Sequence, residues 1–266
     1  MSGERFAFGG RDVRVIDLSR RLSNATAGFE PNPHSITYVD HAESVRQIGA
    51  RLGSEDLWRD GLGGAAETVE LTTHSGTHVD APYHYGPLSG GAPARRVDQL
   101  PLRWFMGPGV LLDFTAKPVG AGIDADDVRA ELARIGHVLS PYDIVLLHTG
   151  ASVGFAEPGY PNRQPGLRRS ATQLLVEAGV RLIGIDAWGL DRPFDVMVAE
   201  ARSGDREQFW ESHYFGTEQE YAQIEQLCHL DRLPAPTGFL VLALPVLIAD
   251  ASASWSRVVA IVDDER

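Results

Sequence analysis

The chain has 266 residues, 43% hydrophobic and 23% charged, a globular composition that excludes a disordered or fibrous protein. Its 24 Lys and Arg against 36 Asp and Glu leave a formal charge of −12, which argues against nucleic-acid binding, where a basic surface must displace counterions. One cysteine, Cys228, allows no internal disulfide, and neither a leader nor the ~20 apolar residues of a spanning helix can be read, so a cytoplasmic protein with no membrane partner is expected.

No repeat or linker divides the chain, and a single domain over 1–266 is expected. Residues 13–19 alternate apolar and polar side chains and predict a strand ending in a turn. Across 40–52, Ala42, Val45, Ile48 and Leu52 recur at helical spacing behind Asp40, a candidate N-cap. Residues 65–73 predict a strand that runs into a histidine-rich loop at 74–84. Strands at 109–114, 143–148 and 180–186 interleave with two helices. One, at 124–135, has Asp124 near its start; the other, at 170–178, has Ser170 as cap and Gly179 as stop. Late strands are predicted at 238–248 and 258–262. This β-α-β-α-β rhythm indicates a mixed α/β architecture in which strands from the two ends of the chain pair.

Three imidazoles and a carboxylate, His74, His78, Asp80 and His84, fall within eleven residues of a chain with nine histidines. Neutral imidazole nitrogens and carboxylate oxygens suit a borderline cation such as Zn²⁺ or Mn²⁺. Gly76, Thr77 and Pro82 favour a loop over a helix here, and Gly76 would let the backbone pass close to a metal. Unrelated surface or core histidines are the bland alternative, but four such groups in so short a segment point to a metal site. An open catalytic site fits better than a closed one, because the cysteine-rich ligand sets of structural zinc are missing. No Gly-x-Ser-x-Gly elbow suggests a serine hydrolase, and the glycines at 61–64 lack the lysine of a phosphate loop.

The segment matches His-x-Gly-Thr-His-x-Asp-x-Pro-x-His position by position, and so resembles the metal-dependent cyclase family, which includes bacterial kynurenine formamidase and isatin hydrolase. The resemblance extends to 17–19, 143–150, 183–186 and 234–245. It implies metal ligands in His74, His78 and Asp80 and a catalytic acid/base in His84. A histidine and a glutamate twelve residues later complete a two-metal centre in bacterial kynurenine formamidase. His213 and Glu225 stand at that interval, with Asp80 as the natural bridge; surface acids on a polar helix are the alternative for Glu225. The implied fold is a three-layer β/β/α domain of swivelling type with a mixed, partly barrel-like sheet. One or two divalent cations, Zn²⁺ or Mn²⁺, are implied per chain, as is a homodimer or homotetramer. The implied activity is hydrolysis of an amide-type C–N bond in a small molecule (an aryl formamide, lactam or cyclic imide) by a metal-activated water. A metal-assisted cyclase or dehydratase and a non-enzymatic metal or small-molecule binder are the alternatives; His84, a base with no use in a pure metal site, counts against the second.

Two stretches look longer than compact members of the family have. One spans 29–64 and contains Trp58; the other lies between Asp186 and His213 and contains Trp188, Arg192, Phe209 and Trp210. Trp58, Trp188 and Arg192 are candidate substrate contacts, the arginine for a carboxylate. Phe29, Trp58, Phe209 and Trp210 are expected at an interface with a second copy. Asp186, at a strand end, is a candidate for orienting a histidine ligand. His34, His41 and His137 read as solvated, His229 as a helix-surface residue, His148 as structural and Cys228 as a buried small hydrophobe.

Overall fold

The computed structural model describes residues 3–29, 33–54 and 56–263. Ten strands form one mixed sheet: Glu4–Phe8 (β1), Arg11–Asp17 (β2), His78–Asp80 (β3), Met106–Asp113 (β4), Ile144–His148 (β5), Leu182–Ile185 (β6), Ala222–Glu225 (β7), Phe239–Leu242 (β8), Ala253–Trp255 (β9) and Val259–Asp263 (β10). Their order across the sheet is β1-β2-β10-β8-β4-β5-β6-β7-β3-β9. The central β4, β5, β6 and β7 are parallel, and every other neighbouring pair is antiparallel. The helices are His41–Leu52 (α1), Pro82–Tyr85 (α2), Ala125–Ile135 (α3), Arg169–Glu177 (α4), Phe194–Ser203 (α5) and Glu211–Phe215 (α6).

Continuous apolar runs explain the centre. Ile144-Val-Leu-Leu147 in β5 has an apolar side chain on both faces, the pattern of a strand covered on both sides. Val145 and Leu147 join a core with Val128 of α3 and Leu175 of α4. Ile144 and Leu146 join a second core, built from strands at both ends of the sheet: Ile16, Ala260 and Val262 on one side, Val79 and Ile224 on the other. A flat ten-stranded sheet could not bring these together, so the sheet is curled. Ser19 and Leu227 form an antiparallel bridge across the gap, and the Cys228 amide donates to the Leu18 carbonyl at 2.9 Å. This is the mixed, partly closed sheet expected.

Helix ends follow the local signals. The Asp40 side chain accepts from the Glu43 amide at 2.8 Å, and Asp124 accepts from the amides of Asp126 and Asp127, filling orphan donors of the first turn. Ser170 is not the cap of α4: Arg168 holds that place, and the Ser170 hydroxyl instead accepts from the Ala125 amide at 3.3 Å, tying α4 to the start of α3. The 65–73 strand contracts to Ala66–Glu70 and stays out of the main sheet, pairing antiparallel with Ser35–Val39 across the intervening α1 as an exposed two-stranded ribbon. The late strand ends at Leu242; beyond it Pro245, with no N–H for a ladder, makes only an isolated bridge to Ser256. The stretch between Asp186 and His213 contains α5 and the start of α6, helices that its polar and aromatic residues do not announce. Among the described residues, no helix is long and apolar enough to cross a membrane.

Candidate metal centre and its pocket

The histidine segment is not a plain loop. His78-Val79-Asp80 forms β3, inserted between β7 and β9. Side chains alternate along a strand, so Val79 enters the core while His78 and Asp80 face the other way. Its neighbour β7 repeats the pattern: Ile224 faces the core, and Gln223 and Glu225 lie opposite Asp80 and His78. Glu225 thus stands on a buried strand, not on the surface of a polar helix.

Gly76 sets the entry to β3. Its φ of +65° is left-handed, and a Cβ there would lie 2.8 Å from Leu22, so the position suits glycine alone. The Gly76 carbonyl pairs with His78 Nδ1 at 2.8 Å, turning Nε2 toward Asp80. Glycine here shapes the turn and the ring orientation. After Asp80, Ala81 is extended (φ −93°, ψ 160°) and Pro82 opens the single turn α2, as the restriction before proline requires. That turn carries His84.

The groups converge. His74 Nδ1 lies 2.8 Å and His78 Nε2 3.2 Å from Asp80 Oδ1, and Glu225 Oε2 lies 3.7 Å from His78 Nε2. His74 Nε2 is steadied by the Ser252 hydroxyl at 3.2 Å. His74, His78 and Asp80 bring one ligand atom each within 4.8 Å of one another, and Asp80, His84 and His213 do the same. His78 Nε2 and Asp80 Oδ1 are fully buried and make no well-aligned hydrogen bond; their close polar contacts are with each other and with His74. A cation that displaced the imidazole proton would be held by the nitrogen and the carboxylate oxygen together.

The electrostatics agree. Burial alone would raise the Asp80 carboxyl, but the imidazoles of His78, His84 and His74 outweigh it and hold it well below the usual carboxylate range. Burial pushes His78 down, and Asp80 and Glu225 outweigh it, lifting the imidazole to about 9. Burial, with Asp80 as a like charge, pushes Glu225 up to about 7. His84 goes the other way: burial lowers it to about 4 against the pull of Asp80, with the imidazoles of His213, His74 and His78 adding to the fall.

His213 lies on α6, where Asp191 accepts from the Ser212 amide at 2.7 Å and pairs with His213 Nδ1. Burial would lower the imidazole; Asp191 outweighs it and raises it. Asp191 therefore does for His213 what the sequence suggested for Asp186. Asp186 instead accepts from Thr149, Gly150 and Ser152 and ties down the turn after β5. Its nearest imidazole is His148, 4.0 Å away. Asp191 and Gln223 carry no sequence signal of their own beyond the alternation of Gln-Ile-Glu, which parallels His-Val-Asp.

Above these groups opens a cavity of about 310 Å³, lined by His74, His84, His213 and Glu225 at its polar end and by Trp188, Phe194, Met197 and Trp210 along an apolar wall. It lies beyond the carboxyl ends of the parallel strands, the usual place for a ligand in an open α/β sheet. Trp210 stacks on His213, ring centroids 4.2 Å apart at 13°. Trp188 and Arg192 line the cavity and Trp58 does not. The Arg192 guanidinium is held by both carboxylate oxygens of Glu200, so it is already paired. Trp210 belongs to the pocket, and Phe209 packs against Phe194 at 6.0 Å; the Phe29 side chain lies outside the described residues. Of the remaining histidines, His34 is buried with Nε2 at 2.8 Å from the Ser23 carbonyl, and His137 pairs with Asp143 at 2.9 Å, so neither is simply solvated. His229 is not on a helix surface: it sits at φ +59° with its ring on the Asp17 carbonyl. Cys228 is buried, its thiol pushed up to about 12 by burial.

The Cyclase family model matches residues 16–192. A kynurenine formamidase of Salinibacter ruber is 31% identical over 184 residues, 69% of this chain and 73% of that protein. One of Bacillus anthracis is 28% identical over 247 residues, 92% and 95% of the two chains. The fold is shared with an isatin hydrolase bound to the product analogue thioisatinate, at a TM-score of 0.74 and 23% identity over 95% of this chain and 93% of that one. Isatin hydrolase A of Ralstonia solanacearum gives 0.72 and 23% over 94% and 92%.

Proposed function

Since the chain belongs to the Cyclase family, we propose that it is a metal-dependent hydrolase that opens an amide-type C–N bond in a small aryl or cyclic substrate, an aryl formamide, lactam or cyclic imide. The observation that carries this is the convergence of His74, His78 and Asp80, one ligand atom each within 4.8 Å of one another, beside an aromatic-walled cavity that His74 and Glu225 line. His74, His78 and Asp80 would hold the cation, Zn²⁺ or Mn²⁺, with His213 and Glu225 the remaining candidate ligands around the other oxygen of Asp80. When bound, the cation lowers the pKa of a water and polarises the scissile carbonyl.

The chain's own groups do the rest. His84 is uncharged at neutral pH, its ring 4.2 Å from that of His74 and open to the cavity. It takes the proton of the attacking water and delivers it to the leaving nitrogen. Trp188, Phe194 and Trp210 give a planar substrate apolar faces to lie against and limit water at the reacting carbonyl. Asp191 fixes the His213 ring, and the Gly76 carbonyl fixes that of His78.

Residues 1–266 act as one domain in this reading, since strands near both ends share a sheet. A cytoplasmic homodimer or homotetramer is part of the same proposal, with Leu52, Leu57 and Leu62 of the long 29–64 stretch exposed enough to meet a neighbour. The test is a metal count on chelator-free protein, followed by a screen of N-formyl aryl amines, lactams and cyclic imides in ¹⁸O-water. Hydrolysis places solvent oxygen in the product acid. Metal-loaded protein that turns over none of these classes, or a product without solvent oxygen, would refute the reading.

A further inference from the structure

Gln223 is fully buried, and its side-chain nitrogen lies 3.0 Å from Asp80 Oδ2, 2.9 Å from His213 Nε2 and 2.8 Å from Glu225 Oε1. A primary amide has two N–H bonds, so three acceptors crowd round two donors. The two carboxylates set the orientation of the amide, since turning it over would aim its oxygen at both. That oxygen lies 3.1 Å from the Tyr221 hydroxyl, whose single O–H also faces the Ser212 carbonyl at 2.8 Å. His213 has its Nδ1 on Asp191, so the neutral ring presents a lone pair at Nε2 to the amide.

One oxygen from each of two carboxylates and one imidazole nitrogen make a donor set for a divalent cation, here gathered around an amide nitrogen. Cation–ligand bonds are about 2.0–2.2 Å, so a cation bound by these three atoms would collide with an amide nitrogen already within 3.0 Å of each. We propose that Gln223 fills the place a second cation would take and keeps the centre to one cation, at His74, His78 and Asp80. The two Asp80 oxygens are then divided, Oδ1 for the cation and Oδ2 for the amide. The proposal rests on the cation site put forward above and corrects the two-cation centre that the spacing of His213 and Glu225 suggests. Gln223 acts here as a positioning residue, holding His213 and Glu225 as hydrogen-bond acceptors.

The test is a cation count. Metal-stripped wild type, Gln223→Val and Gln223→Leu are loaded with Mn²⁺, desalted and measured by elemental analysis, with electron paramagnetic resonance to read whether the ions are neighbours. Valine suits a strand, and leucine keeps more of the volume while removing the amide. Wild type should hold one ion per chain with the spectrum of an isolated ion; the variants should approach two and show a spin-coupled pair. Two ions in wild type would overturn the role of Gln223 and leave the hydrolase reading standing. No ion in wild type would remove the site and this proposal together. One ion in wild type and still one in a variant folded by circular dichroism would also overturn it. If neither variant folds, the wild-type count decides: one isolated ion supports the proposal and two refute it.

Discussion

Cation uptake should release protons, with a size set by His78. In the metal-free protein Asp80 and Glu225 lift that buried imidazole to about 9, so near neutral pH it carries a proton that a cation must displace. Apparent affinity should therefore rise with pH, about tenfold or ~1.4 kcal/mol per unit below that value. From roughly pH 6.5 to 8.0 this amounts to about 30-fold, or ~2 kcal/mol. Glu225, pushed up to about 7, steepens the lower half of that window. Asp80 and His84 add nothing, since both have lost their protons well below it. Stability follows with opposite signs in the two forms. Without metal, the raised His78 contributes stability that is fully present below about 6.5 and lost as pH rises through about 9. With metal the proton competes, so the rise in Tm on adding Mn²⁺ should be larger at the alkaline end. Calorimetric titration with Mn²⁺ in two buffers of different protonation enthalpy counts the protons: about one near pH 8 and more than one near pH 6.5. Affinity that stays flat across the window, or net proton uptake, would refute the placement of His78 in the binding site.

His84→Ala should keep its cation and lose about 10²–10⁴-fold in turnover, while His78→Ala should lose both. A His84→Ala protein that purifies metal-free under loading conditions would make His84 a ligand, a role its position near Asp80 and His213 permits. Asp186→Ala removes a buried acceptor of four hydrogen bonds and should cost about 3 kcal/mol in denaturant melts with unchanged metal content; a folded variant that had lost its metal would return Asp186 to the site.

The parts of this fold that can be read from the sequence are those whose cause is local. Asp40 and Asp124 sit one residue before their helices and bond to amides two or three positions on, so the chain itself holds the signal. The His-x-Gly-Thr-His-x-Asp segment is likewise dense enough to be seen unaided. Ser170 shows the limit, since its hydroxyl answers to an amide in another helix. The strand character of His78–Asp80 is invisible locally because it depends on pairing with Gln223–Glu225 and Ala253–Trp255. Asp186 and Asp191 are both buried acids close in sequence. Only the third dimension assigns one to a turn after β5 and the other to His213.

The insertion of β3 between β7 and β9 bears on how the protein reaches its working state. Val79 pairs with Ile224 on one side and Ser254 on the other, so the strand carrying His78 and Asp80 is seated only after most of the chain has been synthesised and folded. Contacts this distant in sequence form slowly, because the intervening chain must first be closed into a loop. A nascent chain released before residue 253 would lack the strand that flanks the ligands, and Ser252, which steadies His74, would lack its anchorage. If His74, His78 and Asp80 hold a cation as proposed, the buried, Ser252-steadied form of that site would be complete only once the last strands have closed.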